Sequence, residues 1–251
     1  MNAQGDDYWV DTTAVVLCGG LGTRLLPVVS DRPKGLADVG GRPFLSLLLD
    51  QIEHAGLAKA VLCTGHMADK IRSACGDRHG GMAIDYSVEE SPLGTAGAVR
   101  QALAGVSTRH ILVLNGDSYC HVDLRALCAA YRAKGQLPMI VLVNVPDASR
   151  FGRVECGSEG TVHCFKEKSA GMGPGLINAG IYLFPVALAA GIPGGRAVSL
   201  EKEIFPTWVI SGLHGYRCDG PFIDIGTPES YVSAQGFFKK PLALGSRNAD
   251  E

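Results

Sequence analysis

The first part of the chain alternates between continuous apolar runs and segments with apolar residues at a helical spacing. Apolar runs of strand length occupy residues 12–18, 59–64, 82–88, 110–115 and 138–145. Segments with a helical period lie between them, at residues 42–55, 67–74, 95–104 and 123–133. Continuous apolar runs are typical of strands that are buried on both faces of a parallel sheet. The alternation therefore predicts a doubly wound α/β sheet with right-handed crossovers.

The pattern changes after residue 145. Short β-like pieces follow, separated by glycines and polar turns, at residues 152–156, 161–166 and 177–184. We expect them to extend the sheet and to form one wall of a cleft. The remaining sequence predicts a helix that begins at Leu200 after a Ser199 cap, one or two strands within residues 214–225, and a last helix at residues 228–238.

Residues 169–195 carry no charged side chain and could be mistaken for a membrane helix. Glycine, proline and asparagine interrupt the apolar centre, which also falls short of the ~20 apolar residues that a spanning helix needs. We interpret the segment as a buried strand and a short helix. No repeat or linker divides the chain, so we expect a single domain over residues 1–251, with a core at about 12–238 and mobile ends, including the tail from Pro241.

Composition supports a folded protein and limits its partners. Of the 251 residues, 46% are hydrophobic, which is enough for a sizeable core. The formal net charge is −2 and no basic tract occurs, which argues against nucleic acid as a partner. Any phosphate that the protein binds must therefore be held by a few local groups.

Cysteine and histidine usage indicates reduced thiols and argues against a zinc site. The eight cysteines include no C-x-x-C pair, and the seven histidines form no zinc-type cluster. No basic segment precedes an apolar one at the N-terminus, so no signal peptide is expected. These features favour a cytoplasmic protein without membrane contact.

A glycine-rich turn follows the first predicted strand. It reads Gly19-Gly20-Leu21-Gly22-Thr23-Arg24, and Pro33-Lys34 comes shortly after it. The spacing matches neither the dinucleotide fingerprint nor the Walker A loop. Glycines let backbone N–H groups converge on an anion, while Arg24 and Lys34 add the charge that a polyphosphate requires. The alternative is a structural turn with surface cations.

Two aspartates end apolar strands. Asp117 follows the strand at residues 110–115, and Asp224 stands alone within the apolar stretch around residues 222–225. A buried carboxylate without a partner is costly, so a metal ion or a cation is expected beside Asp224. Mg²⁺ usually takes one or two protein carboxylates, which this pair could supply. A turn role for Asp117 is the alternative.

GGLGTRLLP and the following PKGL resemble the signature of the sugar-1-phosphate nucleotidyltransferases. The resemblance extends from residue 13 to about 237 and includes five motifs in family order. It implies a single Rossmann-like (GT-A-like) domain with a mixed, mostly parallel sheet flanked by helices, and a small β extension on the sugar side of the cleft. It also implies a reaction in which a nucleoside triphosphate and a sugar 1-phosphate give a nucleotide-sugar and pyrophosphate.

The resemblance implies a role for each motif. Arg24 would hold the departing β- and γ-phosphates, Lys34 would lie near the α-phosphate, and Asp117 and Asp224 would hold Mg²⁺ or Mn²⁺. The implied nucleotide contacts are Leu17, Gly19, Gly20, Gly22, Thr23, Glu89, Gly94, Thr95 and Gly116. The implied sugar-phosphate contacts are Glu167 and Asn178 at sugar hydroxyls, Gly152 and Gly180 at close backbone approaches, and Lys168 at the phosphate.

Glu89 favours GTP as the nucleotide. Guanine presents two adjacent donors, N1–H and N2–H₂, which one carboxylate can accept together, whereas uracil and thymine offer a single N–H between two carbonyls. The segment from Glu89 to Thr95 resembles the base-binding loop of the family. If this loop is shifted by one residue, Glu90 would accept the guanine donors in place of Glu89. Two solvated turn acids remain the alternative, and with them a uridylyl or thymidylyl enzyme of the same fold.

Two other classes of protein are weighed against the enzyme. A non-catalytic nucleotide-sugar-binding regulator would be favoured if Arg24, Lys34, Asp117 or Asp224 were replaced, and all four are present. An NAD-dependent oxidoreductase needs the dinucleotide fingerprint, which is missing after the first strand. The sequence therefore favours the transferase, with GTP and a sugar 1-phosphate as its substrates.

Overall fold

The structure is a computed structural model that describes residues 9–238; the predicted mobile ends, including the tail from Pro241, lie outside the described residues. The strands are β1 Thr12–Leu17, β2 Asp38–Val39, β3 Arg42–Pro43, β4 Lys59–Thr64, β5 Arg78–His79, β6 Met82–Val88, β7 His110–Asn115, β8 Ser118–Cys120, β9 Met139–Val145, β10 Arg153–Cys156, β11 Val162–Lys166, β12 Gly175–Pro185, β13 His214–Cys218 and β14 Phe222–Asp224. The α-helices are α1 Phe44–Ala55, α2 Ala68–Cys75, α3 Gly94–Ala102, α4 Leu124–Ala133, α5 Val186–Ala190, α6 Phe205–Ser211 and α7 Pro228–Phe237.

A central sheet of eight strands organises the described residues. Its order is β13-β9-β12-β7-β1-β4-β6-β5, and only β12 and β5 run against the other six strands. Helices cover both faces of this mixed, mostly parallel sheet. The fold class expected from the sequence is therefore confirmed.

The central strands are buried on both faces, as their continuous apolar sequences predict. In β1, Ala14 and Val16 pack into one hydrophobic cluster, whereas Val15 between them packs into the other. Successive side chains of a strand point to opposite faces, so an apolar run is needed when both faces are covered. The carboxyl ends of the parallel strands then meet at one edge of the sheet, where ligands collect in such folds.

Helix boundaries follow local signals. Helix α1 ends at Gly56, whose φ of 99° is the left-handed conformation expected of a C-terminal glycine. Asp123 caps α4 by accepting a hydrogen bond from the N–H of Ala126. Ser199 also acts as the predicted cap, but the turn that follows it is a π-helix, Leu200–Ile204, which continues into α6.

Three two-stranded ladders lie outside the central sheet. Strands β10 and β11 form the expected β extension, and β2 pairs with β3. The strands predicted within residues 214–225 are two, and they separate: β13 joins the central sheet, whereas β14 pairs with β8. The uncharged segment at 169–195 contains β12 and α5 as a strand and a short helix. Within residues 9–238, no helix is long and apolar enough to cross a membrane.

The start of α3 is packed tightly against a segment far along the chain. A Cβ on Gly94 would lie 2.5 Å from the carbonyl oxygen of Val198, and Gly94 has a φ of +69°. The N–H of Ala96 donates to the same carbonyl at 2.9 Å, while the N–H of Val198 donates to the Leu93 carbonyl at 2.8 Å. Glycine is therefore required here both by the backbone conformation and by the neighbour.

We predict that Gly94→Ala destabilises the protein more than Gly135→Ala. Both glycines have a φ of +69°, but no atom lies within 4 Å of a Cβ built on Gly135. Each substitution should cost roughly 1–2 kcal/mol in backbone strain, and Gly94→Ala should lose a further ~1–3 kcal/mol through crowding. Denaturant unfolding measures both losses, and equal losses would mean that the Val198 contact is unimportant.

Candidate active site

Two adjoining cavities open at the carboxyl ends of β1, β4 and β7. The larger has a volume of about 700 Å³, and a narrower one of about 200 Å³ lies beside it. The two cavities share the glycine-rich turn after β1 and the end of β7. Of the residues expected to bind nucleotide or act in catalysis, those that line one or both cavities are Leu17, Gly19, Gly20, Gly22, Thr23, Arg24, Lys34, Glu89, Gly94, Thr95, Gly116 and Asp117.

Glycines allow the loops of this edge to touch one another. A Cβ on Gly116 would lie 2.6 Å from the carbonyl oxygen of Leu17. A Cβ on Gly19 would lie 2.7 Å from Oε1 of Glu89 and 3.2 Å from the backbone nitrogen of Gly65. The turns after β1, β4 and β7 are thus held side by side.

Charged groups of both signs meet in the narrower cavity. Nζ of Lys34 lies 2.7 Å from Oδ2 of Asp117, and the Lys34 side chain is only 12% exposed. A Cβ on Gly226 would lie 2.6 Å from Oδ2 of Asp224, 3.7 Å from Nζ of Lys34 and 3.8 Å from Nη2 of Arg24. Gly226 therefore leaves room at a point where two cations and a carboxylate converge.

The β8–β14 ladder brings the two candidate metal ligands together. Asp224 is the register partner of Ser118, the residue after Asp117, and the N–H of Ile225 donates to the Asp117 carbonyl at 2.9 Å. The expected cation beside Asp224 is Arg150, whose Nη2 lies 3.0 Å from Oδ2. Both carboxylates thus lie at one edge of the sheet, each paired with a basic side chain.

The residues present fit a hard divalent cation. Carboxylate oxygens are the ligands that Mg²⁺ prefers, and one or two of them suffice when substrate phosphates and water complete the shell. Among residues 9–238, no group of three or more histidine, cysteine, aspartate or glutamate side chains could hold a metal ion. Asp117 and Asp224, which the β8–β14 ladder brings together, are the pair to consider, with Lys34 and Arg150 as the cations paired with them.

Glu89 is held in a fixed orientation at the wall of the larger cavity. Its Oε2 accepts a hydrogen bond from the N–H of Leu93 at 2.9 Å, and its Oε1 faces Gly19. Burial raises the pKa of Glu89, and the Leu93 hydrogen bond opposes this rise only in part. A partly buried carboxylate whose charge is poorly solvated gains most from a ligand with hydrogen-bond donors.

A third cavity, of about 320 Å³, is lined by the β10–β11 ladder, by the first part of β12 and by residues 199–202. It brings together four residues of the expected sugar-phosphate site: Gly152, Glu167, Lys168 and Asn178. Gly180, the fifth, lies beside it on a bulge of β12, where the register with β9 shifts between Asn178 and Tyr182.

Gly152 and Gly180 both contact protein atoms closely. Gly152 has a φ of +80°, and a Cβ there would lie 2.5 Å from the carbonyl oxygen of Lys166. Gly180 has a φ of +79°, and a Cβ there would lie 2.6 Å from Oγ of Ser118. The close approach at these glycines is therefore needed by the fold itself.

Several lining residues did not stand out in the sequence. His66 lies in the larger cavity, Glu201 and Lys202 line the third, and Gly226 lies in the narrower one. A usable signal existed for His66, since Gly65-His66 follows β4 as the glycine-rich turn follows β1. Glu201 carries no such signal, because its place in the cleft depends on contacts with α3 and β12.

Comparison with known proteins identifies relatives of the whole described fold. A family model for nucleotidyl transferase matches residues 13–240. A mannose-1-phosphate guanylyltransferase of Mycobacterium tuberculosis is 36% identical over 243 residues, which are 93% of this chain and 68% of the relative. A D-glycero-alpha-D-manno-heptose 1-phosphate guanylyltransferase of Aneurinibacillus thermoaerophilus is 32% identical over 223 residues, 88% of this chain and 96% of the relative.

A solved structure has the same architecture. HddC from Yersinia pseudotuberculosis, in a crystal structure described as complexed with GMP-PN, is 31% identical to this chain. It superposes with a TM-score of 0.80, covering 90% of this chain and 99% of HddC.

We predict that Arg24→Ala weakens the binding of inorganic pyrophosphate by about tenfold or more, because one charge-assisted contact is lost. Arg32→Ala is the matched control, since Arg32 lies in the same loop region but pairs with Asp31 at 2.7 Å on the surface. Calorimetry on the two variants gives the dissociation constants. Equal weakening in both would show that only general charge attraction is involved.

Proposed function

Because this chain belongs to the nucleotidyl transferase family, we propose that it transfers a guanylyl group from GTP to a sugar 1-phosphate, giving a GDP-sugar and pyrophosphate. The best candidate acceptor is D-glycero-α-D-manno-heptose 1-phosphate. Relatives named as guanylyltransferases for heptose and for mannose 1-phosphates support guanylyl transfer.

One observation carries the proposal: two cations and the Asp224 carboxylate converge around Gly226 in the narrower cavity. Asp117, which pairs with Lys34, lines both this cavity and the larger one. A polyphosphate needs the cations, and a metal-bound phosphate needs the carboxylates. We further propose that the described residues act as one domain, because strands from both halves of the chain end at this cleft.

The proposed reaction forms one bond and breaks another at the α-phosphorus. An oxygen of the sugar phosphate attacks the α-phosphate in line, and the bond between that phosphorus and the pyrophosphate oxygen breaks. A sugar phosphate is largely a dianion at neutral pH because its second pKa is about 6. The attacking group needs no general base, so the catalytic task is positioning and charge stabilisation.

The proposed roles divide along the cleft. Lys34 neutralises charge at the α-phosphate, Arg24 holds the departing pyrophosphate, and Lys168 with Glu167 and Asn178 holds the acceptor. The glycine-rich turn after β1 admits the phosphates close to the backbone. Asp117 and Asp224 would hold Mg²⁺ or Mn²⁺, which supplies charge compensation for the phosphates when bound.

Glu89 is the proposed base-reading residue. Its Oε1 and the second lone pair of Oε2 remain able to accept guanine N1–H and N2–H₂ after the Leu93 hydrogen bond is made. Adenine presents an acceptor at N1, and uracil or thymine a single donor. A buried site whose polar groups stay unpaired rejects the wrong ligand strongly.

Heptose and mannose are the two acceptors to compare. Heptose comes first because the chain covers 96% of the Aneurinibacillus thermoaerophilus heptose 1-phosphate enzyme, against 68% of the Mycobacterium tuberculosis mannose 1-phosphate enzyme. Mannose 1-phosphate remains the second candidate, because the Mycobacterium tuberculosis relative has the higher identity, 36% against 32%.

We predict a preference for GTP in a panel of GTP, UTP, dTTP and ATP crossed with heptose 1-phosphate and mannose 1-phosphate, followed by pyrophosphate release. The value of kcat/KM with GTP should exceed the others by more than the ~10–200-fold that shape alone supplies. Glu89→Gln should reduce this preference, because the amide places a donor against the donors of guanine. Glu90→Gln is the comparison: Glu90 lines the same cavity but is exposed, so a loss of preference in this variant instead would assign the base contact to Glu90.

A wild-type preference for UTP or dTTP would exclude the guanine assignment while leaving the transferase intact. Nucleotide binding without pyrophosphate release from any pair would instead favour a non-catalytic regulator.

We predict that turnover requires Mg²⁺ or Mn²⁺, and that Asp117→Ala and Asp224→Ala each lower kcat on the order of 10²-fold or more, as expected when charge stabilisation is removed. Thermal melting should show that the Asp117→Ala and Asp224→Ala proteins are folded. Asp123→Ala serves as a control, because this aspartate only caps α4. Full activity in excess EDTA would contradict the metal role.

A further inference from the structure

Glu201 lines the third cavity and hydrogen-bonds to a residue of the larger cavity. Its Oε2 accepts hydrogen bonds from Oγ1 of Thr95 at 2.9 Å and from Oγ of Ser199 at 3.0 Å. Its Oε1 accepts a hydrogen bond from the hydroxyl of Tyr182 at 3.3 Å. The Glu201 carboxylate therefore contacts Thr95 at the start of α3 and Tyr182 of β12.

The Tyr182 hydroxyl, which donates to Glu201, also lies within hydrogen-bond distance of two asparagines. Nδ2 of Asn178 donates to it at 2.9 Å, and Nδ2 of Asn115 lies 3.5 Å away. Burial and the nearby Glu201 carboxylate keep the pKa of Tyr182 well above its ordinary value, so the phenol stays protonated and donates. Asn178 is fixed at its other end, because its Oδ1 accepts from the N–H of Gly180 at 2.8 Å.

The elements joined in this way carry both substrate sites. Thr95 lies on α3 in the nucleotide cavity, and Asn178 lies on β12 in the third cavity. Asn115 ends β7 two residues before Asp117, and its buried Oδ1 has no hydrogen-bond partner within the described structure. One carboxylate is thus hydrogen-bonded, directly or through Tyr182, to side chains that line both cavities.

We propose that Glu201 is a positioning residue that fixes Thr95 and, through Tyr182, Asn178, and so sets the two substrate sites relative to each other. The inference rests on the proposed function for the identity of the two substrates. Charged hydrogen bonds of this kind are the stronger ones, and a hydroxyl that loses its acceptor reorients.

The test is a comparison of three substitutions. Thr95→Val should raise the KM for GTP, Tyr182→Phe should raise the KM for the sugar 1-phosphate, and Glu201→Gln should raise both by about fivefold or more. Glu203→Gln is the matched control: Glu203 lies in the same turn, but its partners are Arg196 at 2.7 Å and the N–H of Ser199. Both KM values should stay within about twofold in that control.

Two outcomes would overturn the proposal. In a Glu201→Gln variant with a wild-type melting temperature, unchanged KM values or a change for only one substrate would exclude the link. If Tyr182→Phe does not fold, Glu201→Gln decides alone. Calorimetric titrations with GTP and with mannose 1-phosphate, each without the other, measure the change in affinity for each substrate without turnover. An inactive wild type would therefore reject the proposed function, while these titrations still test the role of Glu201.

Discussion

The pairing of β14 with β8 is the contact on which the candidate site depends. The two strands have three residues each and lie outside the central sheet, yet their register sets Asp224 beside Ser118 and next to Asp117. Without this ladder the two carboxylates would sit on unrelated loops. The backbone hydrogen bond from Ile225 to Asp117 continues the ladder by one residue and fixes the turn that carries Gly226.

The same ladder imposes an electrostatic requirement. Two carboxylates brought to one edge of a sheet repel each other unless cations lie nearby. Lys34 and Arg150 meet this requirement, one from the segment after β1 and one from the segment before β10. In the folded protein each of the two carboxylates is therefore already paired with a cation, and Arg24 adds a further positive charge beside Gly226.

The sequence predicted the central sheet well because its strands are apolar on both faces and its helices carry a clear period. It also placed Gly19, Arg24 and Asp117 near one edge, because glycines and charges follow directly after apolar runs. It did not predict β8, since three residues carry no usable period, nor the pairing of Lys34 with Asp117, which depends on register. Glu201 was missed for the same physical reason: its partners are supplied by distant strands and helices.

The packing of Gly94 against Val198 has a consequence for how the chain folds. The start of α3, which lines the larger cavity, hydrogen-bonds to a segment about a hundred residues later, so it cannot reach its final form while the ribosome has released only the first half of the chain. A contact of this sequence separation closes late, because the loop entropy must be overcome first. The larger cavity is therefore completed by the second half of the chain, and a nascent chain stopped before Val198 would lack the contact that holds the start of α3.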